Sequence, residues 1–151
     1  MNKKGFEAAF SKFSFLIEKY PVEVFLLEIF AAATVMDSLR IALFLILGGA
    51  VAGGLSESAK ALFKEKRPEA ATKRSFYRKT FRLNRRSFPS SHSAIAIFFP
   101  TFLFGTGLFF PLLAVGILIA YSRIYIKSHY LTDVLAGALI GVIVGIILKI
   151  V

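Results

Sequence analysis

The chain has 151 residues, is 56% hydrophobic with 17 phenylalanines, and carries a formal charge of +10, with a mean hydropathy of +0.69. That length suits one domain, and that apolarity excludes an ordinary soluble domain in favour of an integral membrane protein. The charge points to anionic partners (phosphates, lipid headgroups or nucleic acid), and the absence of cysteine excludes a disulfide framework and a thiolate metal site.

Met1 to Gly5 is basic but leads into no short apolar core with a small-residue cleavage site, so no removable signal peptide is expected. Phe6, Phe10, Phe13 and Ile17 then recur at helical spacing, with Glu7, Lys12, Glu18 and Lys19 elsewhere. Residues 1–20 are therefore expected to carry an amphipathic helix, too polar to span and suited to the headgroup plane. A helix of a soluble-facing bundle would show the same pattern.

Pro21 opens a second segment, Val22 to Met36, apolar apart from Glu23 and Glu28. After a turn at Asp37, Ser38 and Arg40, a third runs from Ile41 to about Phe63, with Gly48, Gly49, Gly53 and Gly54 permitting close helix approach. Pro68 stops it. From Lys60 to Arg86 there are eleven Lys/Arg against two acids, Glu65 and Glu69, interleaved with Phe76, Tyr77 and Phe81. Between membrane segments, this basic loop over 64–90 suits anionic headgroups rather than nucleic acid, although a merely solvated loop would look alike. Lys64, Arg74, Arg78 and Arg82 are its expected headgroup-binding cations.

Pro89-Ser90-Ser91-His92 opens a fourth segment reaching about Phe104, with Pro100 within it; Gly105 to Gly107 turn the chain. A fifth runs from Leu108 to Lys127. The sixth, Leu131 to Val151, repeats glycine every fourth residue at Gly137, Gly141 and Gly145, a helix-packing stripe. The fold expected is all-α: a polytopic membrane bundle of about five transmembrane helices plus the interfacial helix, one domain over residues 1–151. With five spans, Lys60, Arg67, His92, Arg123, His129 and Asp133 all reach the same membrane surface.

Lys60 and Arg67 are two helical turns apart and suit an anion with several oxygens, as well as simple snorkelling at a membrane boundary. Ser90 or Ser91 is an expected N-cap, and a helix start offers N–H groups to phosphate. His129 and Asp133, four apart, share one face if helical. A carboxylate holding Nδ1–H leaves Nε2 as base or nucleophile, and Arg123 adds a permanently charged fork. A helix end with a snorkelling Arg and a capping Asp accounts for the last stretch equally. The two histidines, His92 and His129, allow one to attack while the other handles the leaving-group proton. No HExxH, Walker lysine loop or carboxylate cluster is present, so no metal or other cofactor is expected.

Lys60-(six residues)-Arg67-Pro68, then Pro89-Ser90-Ser91-His92, then Ser122-Arg123-(five residues)-His129-(three residues)-Asp133 resembles the three-part motif of the type 2 phosphatidic acid phosphatase superfamily, over roughly residues 40–151. The resemblance implies a helical membrane enzyme that removes phosphate from lipids through a phosphohistidine. By position it makes His129 the nucleophile, Asp133 its orienting carboxylate and His92 the proton donor to the leaving oxygen. Lys60, Arg67, Ser90, Ser91 and Arg123 would hold the phosphate. Ser91 departs from the motif's usual Gly, which matters if that position needs φ > 0. The first of the six spans common in the family is replaced here by the amphipathic helix.

A short, strongly basic chain resembles the bacterial lipid A 1-phosphatases of the superfamily, which makes lipid A the first expected substrate. Phosphatidylglycerol phosphate, phosphatidic acid and undecaprenyl diphosphate are its rivals. The location implied is the bacterial inner membrane with the site at the periplasmic face, although seventeen of nineteen Lys/Arg on the site's side would by the positive-inside rule make that side cytoplasmic. A non-catalytic binder of anionic lipid is the alternative class. A vanadate haloperoxidase, which resembles the same motifs, is a large soluble protein and fits this apolar chain poorly.

Overall fold

Each helix boundary has a chemical cause in the sequence. The helices are α1 (Lys3–Lys19), α2 (Pro21–Met36), α3 (Leu39–Leu62), α4 (Ser91–Phe102), α5 (Phe109–Tyr125) and α6 (Leu131–Ile150). The structure, a computed structural model, describes residues 3–63, 65–68 and 86–151, apart from the side chains of Lys3 and Lys4. Pro21 takes the first position of α2, where its missing N–H costs nothing. Asp37 ends that helix in the left-handed region, and the Ser38 hydroxyl caps α3 by accepting from the Ile41 N–H. At the far end of α3, Arg86 Nη1 donates to the carbonyls of Lys60 and Ala61 at 2.7 and 2.6 Å, satisfying helix-terminal acceptors. The only extended pairing among the described residues is a bridge between Lys66 and Arg86.

The twelve-residue α4 is the hub. The stripe of Gly137, Gly141 and Gly145 on α6 lies directly on its backbone: a Cβ at Gly137 would collide with the Ser90 carbonyl, and one at Gly141 with that of Ala94. At Gly145 it would stand 2.7 Å from Thr101 Cβ. Gly116 of α5 and Gly48 of α3 admit the Ala96 carbonyl and the Phe98 ring in the same way. Leu45, Ala52, Phe98, Phe99 and Val144 form the buried centre, and Ile17, Ala96 and Ile119 a smaller cluster under α1.

Helices α3 and α6, of 24 and 20 residues, are long and apolar enough to cross a bilayer; α5 is apolar but has 17. The sequence suggests five such segments. The other three, α2, α4 and α5, have 16, 12 and 17 residues, about 18 to 26 Å at ~1.5 Å per residue, so to cross a ~30 Å hydrocarbon core they need a locally thinned bilayer or help from the chain at their ends. Leu43, Leu47, Val51 and Leu55 on α3, and Leu135, Leu139, Ile143 and Ile147 on α6, form exposed apolar stripes at helical spacing. Such faces are a liability in water and ordinary in lipid.

Candidate active site

The ends of α3, α5, α4 and α6 meet at one pole of the bundle, and the motif residues come with them. The turn after α5 folds back on itself: the N–H groups of Ser128 and His129 donate to the Arg123 carbonyl at 2.9 and 3.2 Å, with Lys127, just before them, at positive φ. His129 therefore sits in the loop before α6 and not on the helix, as its four-residue spacing from Asp133 suggests. The pair forms nonetheless. Asp133, at the third position of α6, accepts the Tyr130 N–H at 2.9 Å through Oδ2, and the same oxygen lies 3.3 Å from His129 Nδ1. Capping the helix and orienting the imidazole are one act.

On the other side of that ring, Arg67 Nη1 lies 3.2 Å from His129 Nε2 and 3.3 Å from the Ser128 carbonyl. A guanidinium only donates, so Nε2 faces it with its lone pair and the proton belongs on Nδ1, towards Asp133. His129 is 4% exposed. Burial pushes its pKa down to about 4; the Asp133 hydrogen bond opposes this and the Arg67 and Lys60 charges add to it. The imidazole is thus neutral at ordinary pH, with a cation standing where an anion would come.

Ser90 caps α4 by accepting from the Ser93 N–H and hydroxyl at 3.4 and 3.0 Å, and its own N–H donates to the Asp133 carbonyl at 2.9 Å. Ser91 has no positive φ, so a side chain is tolerated there without backbone strain. Its hydroxyl donates to Glu57 Oε1 at 2.7 Å and accepts from Lys60 Nζ at 2.8 Å; Lys60 also reaches Glu57 at 2.5 Å. His92 lies against the Phe25 ring of α2, its Nε2 buried and without a hydrogen-bond partner among the described residues.

Arg123 is fully buried, and its fork is directed to Glu18 (2.9 Å), the Ser14 carbonyl (3.1 Å) and the Ser122 hydroxyl (3.0 Å). Lys64, Arg74, Arg78 and Arg82 lie outside the described residues. Two acids join the site that the motifs do not include. Glu57 is betrayed by its place one helical turn before Lys60 in an apolar segment; Glu18 meets Arg123 across 105 positions of sequence. Among the described residues no group of three or more His, Asp or Glu side chains is arranged to hold a metal ion.

Residues 39–151 match the family described as the PAP2 superfamily. The chain belongs to that superfamily. PAP2 superfamily members are phosphatases that act on phosphorylated substrates. The match begins at α3 and takes in every motif residue, while α1 and α2 precede it. No curated protein and no solved structure matches the chain.

Proposed function

We propose that this PAP2 protein is a metal-independent lipid phosphate phosphatase, a single domain working through a phosphohistidine. The observation that carries the reading is His129, neutral and buried, with Nδ1 towards Asp133 and Nε2 towards Arg67. In the reaction, Arg67 swings onto the phosphate oxygens and the Nε2 lone pair attacks phosphorus in line with the ester oxygen. The P–O bond breaks as P–N forms, and His92, which takes up a proton with the incoming phosphate, gives it to the departing alkoxide. Asp133 stabilises the cationic phosphohistidine. His92, now neutral, takes a proton from water, whose oxygen attacks phosphorus and releases His129 and inorganic phosphate. Lys60, Arg67, Ser90, Ser91 and Arg123 hold the phosphate oxygens and stabilise the charge-rich transition state.

The substrate we favour is lipid A at its 1-phosphate, with phosphatidylglycerol phosphate, phosphatidic acid and undecaprenyl diphosphate as rivals. Apolar outer faces on α3 and α6 support a membrane setting, proposed as a five-span bundle in a bacterial inner membrane with the site at the periplasmic face. Lys64, Arg74, Arg78 and Arg82 are proposed to grip the headgroup. Phosphate release by the purified protein from these four lipids, in excess chelator and with and without orthovanadate, tests the reading. Vanadate-sensitive turnover is expected, highest on lipid A. Activity confined to another lipid removes the lipid A assignment, and no turnover on any leaves the non-catalytic lipid binder.

A further inference from the structure

Helix α1 precedes the part of the chain that matches the PAP2 superfamily, yet it enters the site. Phe10, Ser14 and Ile17 form the buried face of this helix, at helical spacing. Phe10 packs against Tyr121 and Tyr125 of α5, at ring distances of 5.5 and 5.0 Å, and Ile17 joins Ala96 and Ile119. Docked this way, one turn of α1 presents two acceptors to Arg123: Glu18 Oε2 at 2.9 Å from Nη1 and the Ser14 carbonyl at 3.1 Å from Nη2. The Ser122 hydroxyl takes Nε at 3.0 Å. All three nitrogens of the guanidinium are thereby fixed. Arg123 is fully buried, and a cation at that depth is costly without a counter-charge, which Glu18 supplies.

We propose that Glu18 is a positioning residue for Arg123, which makes α1 a working part of the phosphate site. This rests on the phosphatase reading, in which Arg123 meets the phosphate. A fork whose plane is already set by Glu18, Ser14 and Ser122 receives the oxyanion without reorganising, the condition under which a buried donor is most effective. The negative charge of Glu18 also opposes an incoming phosphate. The proposal is that fixed geometry outweighs that repulsion.

The test uses the full chain. Glu18→Gln, Glu18→Ala and Glu18→Asp are compared with the unaltered protein, alone and combined with Arg123→Ala, for kcat, KM, orthovanadate binding by calorimetry and thermal midpoint. Loss of the hydrogen bond together with its charge predicts a fall of about ten- to a hundredfold in kcat/KM for Glu18→Ala, and loss of the counter-charge alone a fall of about tenfold for Glu18→Gln, with vanadate binding weakened in parallel. Glu18→Asp, still charged, is expected to lie between, and Glu18→Gln to change either quantity by less than about twofold in the Arg123→Ala background. Equal or higher activity in Glu18→Gln would mean that Glu18 competes with phosphate, and overturns the proposal. So does a loss that persists undiminished without Arg123, or one explained wholly by a lower thermal midpoint. If the unaltered protein turns over no lipid, the phosphatase reading fails. The vanadate cycle then still reports whether Glu18 acts through Arg123.

Discussion

The imidazole of His129 is where sequence, geometry and charge converge, and its titration is the sharpest residue-scale prediction. In the unfolded chain it takes a proton near pH 6.5; in the folded protein, only at about 4. Between those values the unfolded state binds the extra proton, so His129 contributes stability that is present above 6.5 and lost as pH falls to 4. With only two histidines in the chain, a His92→Asn variant leaves one imidazole to follow by nitrogen NMR. Its midpoint is expected near 4, and Asp133→Asn, which removes the raising hydrogen bond, should shift it lower still. The same Asp133→Asn change should reduce kcat by ~10²- to 10⁴-fold while lipid binding persists, since tautomer and charge stabilisation are lost but the cations remain. A midpoint near 6.5, or unimpaired turnover in His129→Ala, refutes the assigned role. Glu57 yields a prediction of the opposite sign. It sits 2.5 Å from Lys60 Nζ, so a phosphate must compete with it, and Glu57→Gln should tighten orthovanadate inhibition by up to about tenfold.

At the scale of elements, the glycine stripe of α6 sets how the first turns of α4 and α6 face each other. Gly137 lies against the Ser90 carbonyl, and Ser90 is tied through its N–H to the Asp133 carbonyl. Gly137→Ala should therefore push the Ser90–Ser91 start of α4 away from the proposed nucleophile His129, lowering activity more than thermal stability. Gly54 has open space where a Cβ would go, and Gly54→Ala in mid-helix should be neutral or stabilising by up to ~1 kcal/mol. Turnover and thermal midpoint in detergent separate the two; equal behaviour would mean that α4–α6 contact does not position the site. This stripe was legible in the sequence because small residues every four positions have one physical use between apolar helices. The motif spacings likewise announced His129 beside Asp133. The loop position of His129 was not legible, since four-residue spacing fits a helix and a capped helix start alike. Nor was the docking of α1. Phe10, Ser14 and Ile17 describe an amphipathic face, but a face does not name what it covers, and Glu18 meets Arg123 only after the chain has folded back across 105 positions.

For the molecule as a whole, the polarity that the proposed five-span bundle has across a bilayer follows from the same chain path. Helix α3 ends at the site and α4 begins there, and Arg86 meets the Lys60 and Ala61 carbonyls at that pole. The turn at 103–107 lies at the other end, where Lys149 Nζ donates to the Phe104 carbonyl and Arg40 stacks on Phe44. Those two cations are the only Lys/Arg that a five-span path places away from the site, against seventeen on its side. Taken as a topology signal, that asymmetry makes the site cytoplasmic. Taken as function it does not, because Lys60 and Arg67 stand at the proposed phosphate site whichever leaflet they face. The chain has no native cysteine, so Ser75→Cys and Gly107→Cys each carry a single label. A membrane-impermeant maleimide applied to spheroplasts is expected to modify Ser75→Cys at once and Gly107→Cys only after the membrane is opened, in keeping with a periplasmic site. The reverse order places the site in the cytoplasm and makes the charge asymmetry a true topology signal. Equal labelling of both would break the bundle polarity on which the shared phosphate site depends.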